Sequence, residues 1–472
     1  MVTKSMIEAA TTEFKKALVD YCGETAEEAL SAESAAVVTK GLQHASAEGC
    51  KAAFRTYLEL HEEQRDVICE DGEAFRFKYE SEKDFLTLWG PVRVSRRLYQ
   101  NADDESYIPI DAAWGMVKEW MTIEVREALA FSCAHLTPEE THQLLEKTAQ
   151  FHPHPTQIKR AVESIGKAIE RHRETLDTAI REAETAPEQT AVLVASMDGA
   201  NVLLNEPGAK CGRPSERPTG EEGKRTGATA YRNAMVGSFS CYGAPEEAEN
   251  GEMKIPRLFS RYTAQMPEER ALAFKEDFEA ELAALEAKLP EDVVRVLLCD
   301  GARSIWFYAG QSERLREYLK LLDFHHATEH LSRAAEAIFG KGSEAATAWF
   351  EKYRHKLLHE EDGAVRVLHS MDYYAKKGRL SKSRREALRV ERTFFNRNKG
   401  LMTYAEFRRR GLPIGSGPVE AACKTLVKAR LCRSGMRWSR EGGQRILDLR
   451  TYVKSNRWDA MWDGYKKLNK AA

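Results

Sequence analysis

The sequence predicts an α/β core set between helical regions, and three observations lead there. First, continuous apolar runs at Ala191–Met197 and Val293–Cys299 read as strands buried on both faces. Second, Ala234–Tyr242 and Arg257–Tyr262 are strand-like, Glu268–Leu289 is an amphipathic helix and Leu319–Phe324 a further strand. The order is strand, strand, strand, helix, strand, strand. Third, the periodicity on both sides is helical, over residues 1–70 and 110–184 before the core and from His326 to about Phe407 within it.

Taken in order, Ala9, Phe14, Leu18 and Tyr21 recur at helical spacing, and an Ala-rich stretch runs from Thr25 to Glu70. Phe85–Trp89, Gly90-Pro91 and Val92–Tyr99 then read as a β-hairpin, with a polar turn at Asn101–Ser106. Thr137-Pro138 is a helix start with proline at the first helical position. That helix runs to Ala149, Phe151–Pro155 breaks it, and Thr156 opens another to about Glu184. Two helices about a short turn fit either a helix-turn-helix, with Gln157, Lys159 and Arg160 facing DNA, or a plain helical hairpin. Glu206–Arg225 is a polar, Gly/Pro-rich loop. The expected division is 1–120, 121–188, 189–339, 340–406 and 407–472.

At 472 residues the chain is long enough for several domains. It has no apolar run near the roughly 18–20 residues that cross a bilayer, and its N-terminus is polar rather than signal-like. Nine scattered cysteines without a Cys-x-x-Cys pair point to reduced thiols. A cytoplasmic protein is the expectation. The net charge of −2 conceals an asymmetry: Lys376–Ala472 carries 26 Lys and Arg against 8 Asp and Glu, leaving 45 basic and 65 acidic residues elsewhere. A basic tail on an acidic body suits a polyanionic partner, or a tail that pairs with the body.

Three carboxylates stand at element edges. Asp198-Gly199-Ala200 follows the first strand, Asp300-Gly301-Ala302-Arg303 follows the fourth, and Glu420 follows Gly415-Ser416-Gly417-Pro418. In the last, Ser416 or Gly417 caps a helix that Pro418 begins. The Gly-Ser-Gly-Pro run reads equally as a phosphate-binding loop, though without the lysine and spacing of a Walker A motif. Phosphodiester chemistry is served by divalent cations held on a few oxygen ligands, and two aspartates with one further acid suffice.

These motifs resemble the DDE-type transposases of bacterial insertion sequences, most nearly the ISKra-type group and more distantly Mutator-like elements. The resemblance rests on Asp198-Gly199-Ala200, on Leu298–Trp306, on Pro413–Lys424 and on the tail Arg430–Ser439 with its Gly435-Met436-Arg437-Trp438 core. It spans about Ala191–Trp462. It implies an RNase H-like α/β core with a mixed five-stranded sheet, and a helical insertion before Glu420, for which the 120 positions after Asp300 leave room. It also implies a catalytic, metal-holding trio Asp198, Asp300 and Glu420, supported by the Asp-x-x-His pair Asp323 and His326. Mg²⁺, with Mn²⁺ as a substitute, is the implied cofactor. Double-stranded DNA, both terminal inverted repeats and target, is the implied partner of a homodimer or higher oligomer, nucleoid-associated when bound.

The chain departs from relatives that carry a cysteine-bearing zinc knuckle: Tyr99–Asp111 has no cysteine, so structural zinc is not expected. His325, His326 and His330 lack the glutamate of a metalloprotease helix. Trp306, Trp349 and Trp438 read as packing residues. Arg303, Lys424, Lys428, Arg430, Arg433, Arg437, Lys159 and Arg160 are the candidate DNA contacts, with Lys424 and Lys428 four and eight residues past Glu420. The expected function is transposon-end cleavage followed by 3′-hydroxyl strand transfer. The alternatives are a nuclease of the same fold and a domesticated, non-catalytic DNA-binding protein.

Overall fold

Where the periodicity changes along the chain, so does the structure. The computed structural model describes residues 31–205, 231–247, 253–377 and 380–470, with 8, 11, 12, 14–16, 19 and 20 before them. The Glu206–Arg225 loop, Cys22, Cys211 and most of the first expected helix lie outside the described residues. Two compact units are formed, one by residues 1–176 with 459–472 and one by 177–458. The last residues thus fall in the first unit, where the sequence placed 407–472 with the core.

In the first unit, α1 (Ala32–Glu59) opens on a reciprocal cap in which Ser31 and Ser34 exchange side-chain and backbone bonds. Sheet then begins earlier than expected. β1 (Val67–Glu70), β2 (Glu73–Thr87), β3 (Gly90–Gln100) and β4 (Ser106–Tyr107) form an antiparallel sheet in sequential order. The expected hairpin is its β2–β3 turn. The outer part of β2 carries a period-two pattern of its own, with Phe75, Phe77 and Tyr79 alternating with Arg76 and Lys78, which the sequence reading passed over; the charged run Glu80–Asp84 then separates it from Phe85. After α2 (Pro109–Trp114) come α3 (Ile123–His135), α4 (Pro138–Thr148) and α5 (Pro155–Arg171). Thr137 caps α4 reciprocally with Glu140, and Pro138 stands in its first turn. The helix expected from Thr156 to Glu184 is broken at His172, where φ −110° and ψ 15° leave the helical region. It continues as α6 (Arg173–Ala183).

The second unit holds the core. Its strands and first helices are β5 (Val192–Leu203), β6 (Tyr231–Tyr242), β7 (Arg257–Gln265), α7 (Leu272–Glu286), β8 (Val294–Cys299), α8 (Arg303–Gln311) and β9 (Leu319–Leu322). The sheet order is β9-β8-β5-β6-β7, with β5, β8 and β9 parallel and β6 antiparallel to both of its neighbours. The fold class is therefore mixed α/β with a mixed five-stranded sheet. Side chains alternate across it with period two. Leu193, Ala195, Met197, Leu297 and Cys299 pack with Phe274, Phe278 and Leu282 of α7 and Ile305 of α8. Val192, Val194, Val296 and Leu298 pack on the opposite face. There they meet α9 (Phe324–Phe339), α10 (Glu344–His359), α11 (Gly363–Lys377), α12 (Lys382–Asn398) and α13 (Tyr404–Arg409). Gly237 permits the closest approach, since a Cβ there would stand 2.6 Å from the Phe278 ring.

The chain then forms α14 (Gly417–Ala422), a π-helical turn (Cys423–Lys428), α15 (Arg440–Lys454) and α16 (Trp458–Lys470). Trp438 pairs with Leu204: its N–H donates to the Leu203 carbonyl at 3.1 Å, and Asn205 N donates back to it at 2.8 Å. The Gly-Met-Arg-Trp core thereby docks the basic tail along the far end of β5.

A buried charge cluster fastens the unit's helices. Arg457 binds Glu281 (2.8 Å) and Glu184, Arg181 binds Glu281 (2.7 Å), and Arg261 binds Glu184 (2.8 Å). Burial raises the pKa of Glu281, but Arg457 and Arg181 outweigh it and hold the carboxyl below its ordinary 4.5. A group with a depressed native pKa stabilises the fold above its unfolded pKa, and loses that contribution as pH falls through the native value. Arg457→Met is expected to cost about 3 kcal/mol at neutral pH, measured by urea denaturation. Wild-type stability is expected to fall on acidification below 4.5, and less steeply in the variant. Equal stabilities at both pH values would show the cluster to be energetically idle.

Candidate active site

The parallel pairing of β5 and β8 ends at Ala195 and Leu297. Asp198 and Asp300 each lie three residues beyond that pair, so the register brings them to the same level of the sheet. By alternation both belong to the face of Val194 and Leu298. Asp198 does not end its strand, as the sequence had suggested. On its other side β5 stays paired with β6 as far as Leu203, and it is only β8 that departs. Its Oδ1 accepts from Gly199 N at 2.6 Å. The Asp300 turn is held three ways: Ala302 N donates to Oδ1 at 2.9 Å, Trp306 Nε1 donates to the Asp300 carbonyl at 2.6 Å, and Arg397 Nη2 donates to the Gly301 carbonyl at 3.0 Å.

Burial raises the Asp300 pKa. The Ala302 N–H opposes the rise, Asp198 and Asp323 reinforce it, and His326 works against it. The four side chains therefore share one electrostatic neighbourhood.

Asp323 joins this neighbourhood to Glu420. It is 1% exposed and caps α9, its Oδ1 accepting from His326 N at 2.6 Å. Its Oδ2 accepts from Ser416 N at 2.5 Å, and Phe324 N donates to the Ile414 carbonyl at 3.1 Å. The Gly415–Gly417 loop is thus bonded to the end of β9. From that loop α14 packs on β5 and β6. Ser416 occupies the cap position without a side-chain cap bond, and proline lies in the first turn. Three residues past Glu420, the buried Cys423 thiol lies within the influence of Asp198. Burial raises its pKa, and the charges of Asp198 and Glu420 add to the rise. Cys423 is where the influence of the two carboxylates meets.

Among the described residues, neither aspartate nor Glu420 is paired with a lysine or arginine. Also among them, no three His, Cys, Asp or Glu side chains are gathered so as to hold a metal ion. In kind the donors are those of a hard divalent cation, since all are carboxylates, and Asp300 is penalised by neighbouring negative charge that a cation would relieve.

The candidate DNA contacts are placed unequally. Arg303, Lys424, Lys428, Arg433 and Arg437 are exposed. Lys424 and Lys428 do not continue the face of Glu420 as a 3.6-residue period would require, because the π turn over Cys423–Lys428 changes the period. Arg430 is buried at 2%, with its guanidinium over the Trp438 ring, so it serves the tail's own packing. In the first unit, Lys159 and Arg160 are exposed on α5, opposite the buried Ile158, Val162 and Ile165. Gln157 is occupied as the return bond of the α5 cap, to His154 N at 2.9 Å.

Sequence reasoning missed four contributors. Arg397 and Asn398 come from the end of α12, where no motif marks them. Arg397 is exposed, while Asn398 is 3% exposed with its amide nitrogen unpartnered. Glu391 of α12 binds His330 Nδ1 at 2.5 Å, and the His330 ring stacks on Phe394 and lies edge-on to His326. Cys423 was legible in principle, since i+3 spacing sets it beside Glu420 on a helix.

No family model and no curated protein matches the sequence. Among solved structures, the chain aligns with a Drosophila P element transposase strand transfer complex at 10% identity and a TM-score of 0.25. The alignment covers 76% of this chain and 82% of that one. A likeness of that degree carries no argument about this protein.

Two substitutions are expected to move stability in opposite directions. A carboxyl with a raised native pKa contributes stability below its unfolded pKa, and loses it as pH rises through the native value. Asp300→Asn is therefore expected to raise the Tm at neutral pH, with the gain vanishing below the ordinary value of 3.8. Asp323→Asn leaves one buried N–H without an acceptor and is expected to cost about 1–3 kcal/mol. Thermal melts of both variants across pH check the pair, and a shared direction would contradict the assigned electrostatics. Gly301→Ala is a third case. Its Cβ would stand 2.5 Å from Phe394, so a loss of about 1–3 kcal/mol is expected on denaturation.

Proposed function

We propose that the chain is a DDE-type DNA transposase that cuts at transposon ends and joins the freed 3′-hydroxyl to target DNA. The observation that carries the reading is the pair Asp198 and Asp300, level with one another beyond the last β5–β8 pairing and without cationic partners, in a sheet ordered β9-β8-β5-β6-β7. That order, with β6 antiparallel, supports an RNase H-like core. The resemblance of the acidic motifs to insertion-sequence transposases gives the reading its chemistry.

Divalent cations held by Asp198, Asp300 and Glu420 would supply Lewis-acid activation of a water or 3′-hydroxyl and neutralise charge at the phosphate. The chain's own residues keep these carboxylates in place. Ala302 N–H and Trp306 fix the Asp300 turn, Gly199 N–H fixes Asp198, and Asp323 ties the Glu420 loop to the start of α9 beside His326. Arg303 and Arg397 beside Asp300, with Lys424 and Lys428 beyond Glu420, are the cations offered to the phosphodiester backbone. No covalent protein–DNA intermediate is required, so no serine or tyrosine nucleophile is assigned. Joining two ends to one target calls for at least a dimer on DNA.

Asp198→Asn, Asp300→Asn and Glu420→Gln are each expected to abolish cleavage of a duplex bearing the element's terminal repeats in Mg²⁺ or Mn²⁺. Duplex affinity should change by no more than about threefold. A variant that cuts at the wild-type rate removes its residue from the site. With pre-cut ends and a target plasmid, joined product is expected. Cutting without joining would leave a nuclease, and binding without cutting a non-catalytic DNA-binding protein. With six to ten phosphate contacts, affinity should fall about 10³–10⁵-fold between 50 and 200 mM salt.

A further inference from the structure

Away from the carboxylates, α10 and α11 line an open groove of about 520 Å³, a volume within the range of small-molecule clefts. From α10 come Lys352, Tyr353 and Lys356, and from α11 a stripe at three- and four-residue spacing, Arg366, His369, Ser370, Tyr373 and Tyr374. Aromatic and cationic side chains alternate around it, and no acid lines it. The cations are not equivalent. Lys356 is bound by Glu360 at 2.9 Å, and Arg366 by Glu360 (2.7 Å) and Asp362 (2.8 Å). Among the described residues Lys352 has no acidic partner, and its ammonium lies 5.7 Å from the Tyr353 ring centroid. Ser370 Oγ accepts from Trp349 Nε1 at 2.9 Å, which fixes the floor. The aromatics differ as well. Tyr374 is braced edge-on by Phe339 and meets the Tyr373 ring at 90° (5.2 Å between centroids), while Tyr373 itself remains 52% exposed.

We propose that this groove binds one unpaired nucleotide, its phosphate at Lys352 and the rim formed by Lys356 and Arg366, its base on the Tyr373 ring. A cation without a partner beside an exposed aromatic face is the combination that holds single-stranded nucleic acid without regard to sequence: backbone charge is met by the cation, and any base has a π face to stack. A duplex offers no free base face, so the ligand is an unpaired strand or a free nucleotide. The proposal extends the transposase reading by placing a strand contact on the helical layer, yet it requires no cleavage chemistry.

Lys352 and Tyr373 are exposed, so their substitution leaves the core intact. The test measures binding of fluorescein-labelled dT₁₂ by anisotropy over 50–200 mM salt, using wild type, Lys352→Gln and Tyr373→Ala in the full chain. Both variants are expected to bind at least fivefold more weakly. Lys352→Gln should also flatten the plot of log K against log salt by about 0.7, as for one lost single-strand phosphate contact. Duplex binding should change less than twofold. If dT₁₂ affinity and salt slope in both variants stay within twofold of wild type, the proposal is overturned. Competition with dTMP and ATP distinguishes the two sources of the ligand. Displacement of dT₁₂ at micromolar concentration identifies a free nucleotide, and its absence identifies a strand; either supports the site if the variants lose affinity. The same titration in Asp198→Asn separates this proposal from the transposase reading, since strand binding should persist there whether or not the wild type cuts DNA.

Discussion

One carboxylate holds the acidic centre together. Asp323 is almost wholly buried, and its two oxygens are divided between two backbone donors, His326 N on α9 and Ser416 N ninety residues later. A buried charge without a counter-cation is costly unless hydrogen bonds replace its hydration. Here two backbone N–H groups do so, and in satisfying the charge they join chain segments that nothing local would bring together. Helix α14 with Glu420, the start of α9 with His326, and the end of β9 beside β8 with Asp300 are all positioned from this residue.

The same logic explains why the site is electrostatically strained. Asp198, Asp300 and Asp323 lie in one neighbourhood with His326 as the opposing group, and burial, reinforced by the neighbouring carboxylates, raises the Asp300 pKa. Arginine is not scarce nearby. Arg397 bonds to the Gly301 carbonyl and the Arg430 guanidinium lies over the Trp438 ring, and among the described residues neither is paired with Asp198 or Asp300. A site built only for stability would have drawn one of them in, as the cluster around Glu281 does with Arg181 and Arg457. These two acidic groups of one unit differ in kind: Asp198 and Asp300 have no cationic partner among the described residues, whereas Glu281 is held by Arg181 and Arg457.

The core strands were legible because burial on both faces leaves continuous apolar runs, and the α4 cap because Thr137-Pro138 states it directly. The two aspartates could be found because each follows such a run. What stayed hidden depends on tertiary context. The charged run Glu80–Asp84 divides β2 and hides its continuity, and His172 breaks a helix that residue preferences would continue. The π turn after Glu420 alters a spacing that a 3.6-residue count treats as settled, and Arg430 is buried by an aromatic ring eight residues away. Arg397 and Asn398 are the clearest case. They reach the Asp300 turn only because α12 runs back toward it, and no local pattern encodes that return.

The bonds from Phe324 N to Ile414 and from Ser416 N to Asp323 also close a circle: the chain leaves the sheet and comes back to it at nearly one point. Everything between is topologically a detour, and α12 within it returns to the Asp300 turn through Arg397 at the Gly301 carbonyl. The connections between its helices could be lengthened or trimmed at small entropic cost, since loop-closure entropy grows only slowly with contour length. The long interval between Asp300 and Glu420 in the sequence is thus no measure of their separation along the fold, because the chain returns to the sheet before α14 begins.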